Sequence, residues 1–445
     1  MSTVEYARRV NGLPKPPADL PWAQRLLRSP WTWVTIAATL LYAYCLVDQY
    51  YLITQDIAVP GGTVQGINFA AVRQAALYAA PTLAFWVVVY LLADRFRPQR
   101  PLLWYLSLGW GAAVAIFLSM YINTWAASHL GIAGDGDPAT ATRAAVFIAP
   151  FVEEACKATV LFWLAVLVRY RLVSKVSMVV LAGLSAAGFA CVENIVYYAR
   201  AIFYASREIN VGDAQAAIDQ TVMMRGVFTC FGHPLFTTMT GLGVAVALRA
   251  HSKVVRVLAP LTGYLFAAFG HMLFNSQASM NQPPGLYIMY WTIAVPMFLA
   301  VVVYVVRSEF VNGRLIRARL GDYVQMGWLH PSDPEVFSRL RKRFAAGWIA
   351  LGRGLACWLD TMRLQRAMTE LAFLRDAEAR GLVDAADQRA EELLVTIRDL
   401  RSGAISDPRG LKFFRRRTPR RNRVYVPVGR QAGYSSVDPN WGPPS

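Results

Sequence analysis

The sequence predicts an all-α membrane protein: a polytopic bundle of about eight transmembrane helices, followed by a helical, basic C-terminal tail in the cytoplasm. Three observations carry this expectation. Of 445 residues, 55% are hydrophobic and 16% charged, against about 25% charged in an average soluble protein. The shortage of charge is concentrated before residue 307. Eight stretches there reach the ~20 mainly apolar residues that cross a bilayer, at about 31–53, 74–93, 102–123, 143–168, 176–198, 222–248, 257–279 and 286–306.

The segments between the stretches support that count, because basic residues favour the cytoplasmic side. Residues 1–30 form a basic N-terminal segment with Arg8, Arg9, Lys15, Arg25 and Arg28. The loop near Pro60 carries little charge, and the next holds Arg95, Arg97 and Arg100. An acidic loop with Asp135 and Asp137 precedes Arg169, Arg171 and Lys175. A mixed loop with Arg207, Glu208, Asp213 and Asp219 precedes Arg249, Lys253 and Arg256, and the last loop, around Asn281, is uncharged. Basic and non-basic loops alternate throughout, which puts both termini in the cytoplasm of a multi-pass protein of the inner membrane. The first stretch is too long for a signal-peptide core and reads as a retained signal anchor. Five scattered cysteines without C-x-x-C spacing argue against a disulfide framework or a cysteine-held metal.

From residue 307 onward the composition changes. The tail, 307–445, holds about 25 basic and 15 acidic residues. Its middle, about 336–400, reads as helical. Phe344, Trp348, Leu351, Leu355, Trp358, Leu359 and Met362 recur mostly at steps of three and four, behind Arg339, Arg341, Lys342 and Arg343. This pattern suits a helix lying on a membrane surface, or a helical hairpin packed on itself. The run Lys412 to Arg423 is polybasic and suited to anionic lipid, and the last ~20 residues read as disordered. The net charge of +17 comes with no nucleic-acid reading motif, so no nucleic acid is expected as a partner.

Ionisable groups inside the 31–306 domain carry the functional information. Each costs about 2.5–3.5 kcal/mol at the centre of a membrane helix and is functional by default. The fourth stretch contains Pro150, Glu153, Glu154 and Lys157. Glu153 and Lys157 are four apart and share a face, while Glu154 projects about 100° away. A structural ion pair therefore accounts for one glutamate and leaves the other over. The fifth stretch carries Phe189, Glu193 and Asn194; the sixth Arg225 and His233; the seventh His271 and Asn275. Counting helical rise, Glu153 lies about 15 Å below the outer surface, His233 about 15–18 Å, His271 about 10–13 Å and Glu193 about 5–8 Å. Scattered structural residues have no reason to share a depth, so these side chains are expected to line one cavity that opens outward.

At these residues the sequence resembles a known family. Glu153-Glu154-x-x-Lys157, Phe189-x-x-x-Glu193-Asn194, Arg225 with His233, and His271-x-x-x-Asn275 are similar, in order and on consecutive stretches, to the motifs of PrsW-type intramembrane proteases. That family is related to the CAAX prenyl endopeptidases and bacteriocin-processing membrane proteases. The resemblance covers the motif core, 143–279. It implies an endopeptidase acting on a membrane-anchored protein, an anti-sigma factor or similar regulator, with Glu153, Glu154, Glu193, His233 and His271 as the catalytic group. Lys157, Asn194, Arg225 and Asn275 support them; Asn275 stands where an aspartate is also common in the family.

Peptide hydrolysis needs an activated water, a base and a group that stabilises the oxyanion. Glu153 or Glu154 is the candidate base. His233 and His271 either hydrogen-bond the reacting atoms or, with Glu193, bind a divalent metal such as zinc, since two histidines and a glutamate are a familiar catalytic zinc set. No H-E-x-x-H helix is present, and the sequence leaves the metal-free and metal-dependent mechanisms both open. Intramembrane charge also marks proton-coupled transporters, and a catalytically silent scaffold is a further alternative. The absence of visible repeat symmetry and the completeness of the motifs favour the protease.

Overall fold

The computed structural model describes residues 13, 16, 17, 19–59, 62–96, 99–130, 138–168, 172, 175–205, 213–279, 283–380 and 387–413. Outside these residues lie half of the N-terminal segment and the loop charges at Arg97, Asp135, Asp137, Arg169, Arg171, Arg207 and Glu208. The uncharged loop at Asn281, most of the polybasic run and the final segment lie outside them too. The described residues divide into two units, 13–94 with 99–304, and 95–96 with 305–413.

The first unit is helical apart from one hairpin, Ile57–Val59 (β1) and Gly62–Val64 (β2), paired antiparallel with Ile57 opposite Val64. Its helices are α1 Trp22–Arg28, α2 Pro30–Thr54, α3 Phe69–Ala93, α4 Pro101–His129, α5 Pro138–Phe147 and α6 Ala149–Leu167. Then follow α7 Lys175–Ala205, α8 Ala214–Met223, α9 Gly232–Ala247, α10 Lys253–Ser279 and α11 Tyr287–Gln325, inside which the unit boundary falls.

Six helices among the described residues are long and apolar enough to cross a membrane: α2, α3, α4, α7, α10 and α11. The fourth and sixth expected stretches differ. The fourth is divided at Ile148 into α5 and α6, with Pro150 in the first turn of α6, where its missing N–H costs nothing. The sixth is divided by a π-helical turn, Met224–Phe228, and by an irregular step before Gly232. A count of eight therefore describes apolar stretches, and two of them are broken helices. Both breaks fall in stretches that carry motif residues, and non-helical backbone at membrane depth is tolerated only where protein or a cavity surrounds it.

Helix α7 is the centre of this unit, packed against α3, α4, α6, α8 and α9, and 78% of its apolar window is buried. Leu161 and Leu164 of α6 meet Leu103 and Leu106 of α4, Met178 and Leu181 of α7, and Val244 of α9. The backbones approach closely at glycine: a Cβ on Gly188 would stand 2.2 Å from the Leu108 carbonyl oxygen, and one on Gly243 2.3 Å from that of Ala259. Small residues at such crossings let dispersion and dipole contacts replace the hydrophobic drive that lipid cannot supply.

The second unit continues with α12 Asp333–Ser338, α13 Leu340–Leu351, α14 Leu355–Ala379 and α15 Asp387–Leu400. Gly354, at φ 113°, turns α13 into α14 in a conformation that β-carbons resist. Arg343 is buried; it donates to Gln365 and Thr369, and its guanidinium lies 5.3 Å from the Phe96 ring centroid. Burial pushes this guanidinium down to about 9. Ion pairs Arg319–Asp376, Arg389–Glu370 and Arg401–Asp333 tie the helices together.

Candidate active site

The site is assembled from α6, α7, the Met224–Phe228 turn, α9 and α10. Helix α6 is held by its carbonyls. Trp110 donates to Cys156 O at 3.0 Å, Ser185 to Lys157 O at 3.0 Å and Tyr264 to Phe151 O at 3.0 Å. Three neighbouring helices thus fix the segment that bears the paired glutamates. The irregular segment before His233 is held in the same manner, with Thr82 donating to Gly226 O, Tyr290 to Phe228 O and Trp86 to Cys230 O.

Lys157 is fully buried at the centre. Its Nζ donates to Glu154 Oε1 at 2.8 Å, to His233 Nδ1 at 3.0 Å and to Glu153 Oε2 at 3.4 Å, and lies 4.1 Å from the Phe189 ring centroid. The closer partner is Glu154, three residues away, rather than the Glu153 singled out by spacing; both offsets are helix neighbours. Glu154 is fully buried and saturated. Besides Lys157 it accepts from Thr237 Oγ1 at 2.7 Å and from His271 Nδ1–H at 3.1 Å. Glu153, 8% exposed, keeps only the Lys157 bond and a 4.0 Å approach to His271 Nε2.

A second carboxylate network lies beside the first. Glu193 Oε2 accepts from His233 Nε2–H at 2.7 Å and from Arg225 Nη2 at 2.7 Å, while Arg225 Nε donates to Asn194 Oδ1 at 2.9 Å and its guanidinium covers Tyr197 at 3.8 Å. The two imidazoles meet edge to face with centroids 5.1 Å apart, and Phe236 stacks on His271. Eight of the nine residues singled out by sequence join one network; Asn275 instead donates to Ala145 O at 2.9 Å. A cavity of about 270 Å³ adjoins them, lined by Glu193, Asn194, Arg225, His233, His271 and Asn275 together with Trp86 and Tyr197.

Each histidine gives one N–H to a carboxylate; His271 Nε2 then faces Glu153, while His233 Nδ1 accepts from Lys157. This second-sphere arrangement fixes the tautomers of metal-binding imidazoles. Glu153, His233 and His271 offer ligand atoms that all lie within 4.8 Å of one another, a group that can hold a metal ion. Glu193, named with the histidines by sequence, is outside that group; its carboxylate is taken up by Arg225 and His233. Three carboxylates, Glu153, Glu154 and Glu193, face the side chains of Lys157 and Arg225. The donor types fit a divalent cation, which would take the place that the Lys157 ammonium holds between Glu153 and His233.

Residues 98–304 match the family model described as PrsW family intramembrane metalloprotease. These residues belong to the PrsW family. No curated protein and no solved structure matches the chain. The chain is an intramembrane protease, and the PrsW-family match contains every residue of the network just described. Sequence reasoning missed Thr237, Phe236 and Tyr197. Thr237 follows His233 by one helical turn and Tyr197 follows Glu193 by one turn, so a search along each motif face would have reached both.

Proposed function

We propose that the chain hydrolyses a peptide bond of a membrane-anchored protein, near the extracytoplasmic side of the cell membrane, with both termini in the cytoplasm. One observation carries this reading: Glu153, His233 and His271 converge beside a polar cavity, each histidine oriented by its own carboxylate. Glu153, His233 and His271 would hold a divalent metal, zinc by donor type. Such an ion polarises a carbonyl and lowers the pKa of its water. Glu154 orients His271, Glu193 orients His233, Lys157 pairs with Glu154 and Arg225 holds Glu193. Asn194 and Asn275 support the wall against which an extended peptide would lie.

A second reading has its own support. The Lys157 ammonium already sits between Glu153, Glu154 and His233. In that metal-free form Glu153, the least saturated carboxylate, takes the proton of the attacking water. The substrate class is a single-span regulator such as an anti-sigma factor, and the basic tail suits anionic lipid. The test is cleavage of a co-expressed single-span substrate by the natural chain and by Glu153→Ala and His271→Ala. Undiminished cleavage by either variant overturns the proposal. Metal content of the purified protein then separates the two forms: a bound ion lost in His271→Ala supports the metal-dependent one.

A further inference from the structure

We infer that the corner between α13 and α14 is a membrane-docking site, which inserts Phe344, Trp348, Leu351, Leu355 and Leu359 into the interface of a bilayer rich in anionic lipid. The inference rests on the basic-tail reading above and adds to it a defined insertion surface. These five side chains are 39%, 63%, 47%, 65% and 38% exposed. They follow one another at steps of three and four, so each helix presents them on one stripe.

The stripe is not an unfilled core. The opposite faces are already packed: Ala346, Ile349 and Ala350 meet Ile405, with Cys357 and Trp358 against them. Nine large apolar side chains are exposed among described residues 305–413, and five of them lie at this corner, while α14 beyond Leu359 and all of α15 expose none. Contiguous apolar surface of this kind marks an interaction site.

Charge and connectivity select the occupant. Between residues 339 and 366 there are seven basic residues and one acidic one, Asp360. Arg341, Arg363 and Arg366 are exposed on the two helices that bear the stripe. Apolar residues with Trp on one face and arginines beside them are the composition of helices that lie in an anionic interface. Among the described residues six helices are apolar enough to cross a bilayer, so every copy is attached to lipid. Gly354 at φ 113° makes the corner tight, and Phe413 packs on Gly352 and stacks on Trp348 with ring centroids 4.9 Å apart, which adds a further aromatic ring beside the stripe.

The test uses the full chain with its native cysteines replaced, and a spin label placed singly at Trp348→Cys, Leu355→Cys and, as an aqueous reference, Glu392→Cys. Reconstitution is in phosphatidylcholine vesicles with and without phosphatidylglycerol. The expected result is a several-fold excess of collisions with oxygen over a soluble nickel chelate at 348 and 355 relative to 392, present with phosphatidylglycerol and reduced by salt. Labels as open to the chelate as the reference overturn the proposal. Labels shielded from both reagents also overturn it, since protein then covers the corner. A second measurement keeps the cysteines: quenching by brominated lipid is compared between the natural chain and Trp348→Phe. The natural chain should show an additional quenched component, and identical quenching counts against docking. Neither readout depends on peptide cleavage, so failure here leaves the protease proposal standing.

Discussion

At the residue scale, the two glutamates of the EExxK string have different environments although they are adjacent. Glu154 accepts from Lys157, His271 and Thr237, whereas Glu153 keeps capacity to spare. Thr237→Val removes one hydrogen bond to a buried carboxylate, worth about 1.5–3 kcal/mol. The expected outcome is a roughly 10- to 100-fold loss in kcat/KM with the helical circular-dichroism signal retained. Arg225→Met leaves Glu193 with its His233 contact and no cation, and breaking an ion pair of this kind costs up to about 3–5 kcal/mol when buried. Thermal stability should fall in Arg225→Met and recover in Arg225→Met with Glu193→Gln, while cleavage stays impaired in both. Recovered cleavage in the double variant would refute the orienting role of Glu193. The eight motif residues that meet in one network were legible because charged and amide groups are conspicuous in apolar sequence and four-residue spacing puts pairs on one face. Thr237 was not, because a threonine in a membrane helix is unremarkable until its partner across the bundle is known. The pairing of Lys157 with Glu154 likewise depends on rotamers that spacing leaves free.

At the scale of elements, hydropathy found the helices and missed their breaks. A window of some twenty residues averages over Ile148 and over Met224–Phe228, so two broken helices read as two continuous spans. Pro150 was visible, yet a proline at the start of a new helix and a proline inside an old one look alike in sequence. The close crossings were equally hidden, since glycine is common in membrane helices for several reasons. They make a sharp prediction. Gly188→Ala puts a methyl group against the Leu108 carbonyl, and the backbones must part. A loss of about 1–3 kcal/mol is expected from such overpacking, read as earlier aggregation on heating in detergent. Gly321→Ala is the control: nothing lies within 4 Å of its added Cβ, and it should be neutral or stabilising by up to ~1 kcal/mol. Equal behaviour of the two variants would show that the α4–α7 crossing is looser than described.

At the scale of the whole molecule, the composition changes after residue 306, and the described residues form two units, 13–94 with 99–304 and 95–96 with 305–413. The interior of the second unit was less readable, because buried Arg343 and the ion pairs among α11, α14 and α15 look in sequence like ordinary surface charge. All residues of the candidate site's network lie before the boundary. A chain ending after Gly313 is therefore expected to keep cleavage of a detergent-solubilised substrate within a few-fold of the full chain. Loss of cleavage in a truncated chain that remains monodisperse would contradict this. The broken helices also bear on the choice of membrane. Helix α9 has 16 residues and α6 has 19, about 24 and 28 Å at the helical rise, against a hydrocarbon layer of about 30 Å. Helices α5 and α8 complete these two stretches beyond the breaks, and a thinner bilayer would bring headgroups and hydration nearer to the breaks that precede Glu153 and His233. Acyl-chain length then becomes a control on turnover. Vesicles of shorter phosphatidylcholines should support faster cleavage than long-chain ones at equal fluidity, and a rate indifferent to thickness would mean that water reaches the cavity by another route.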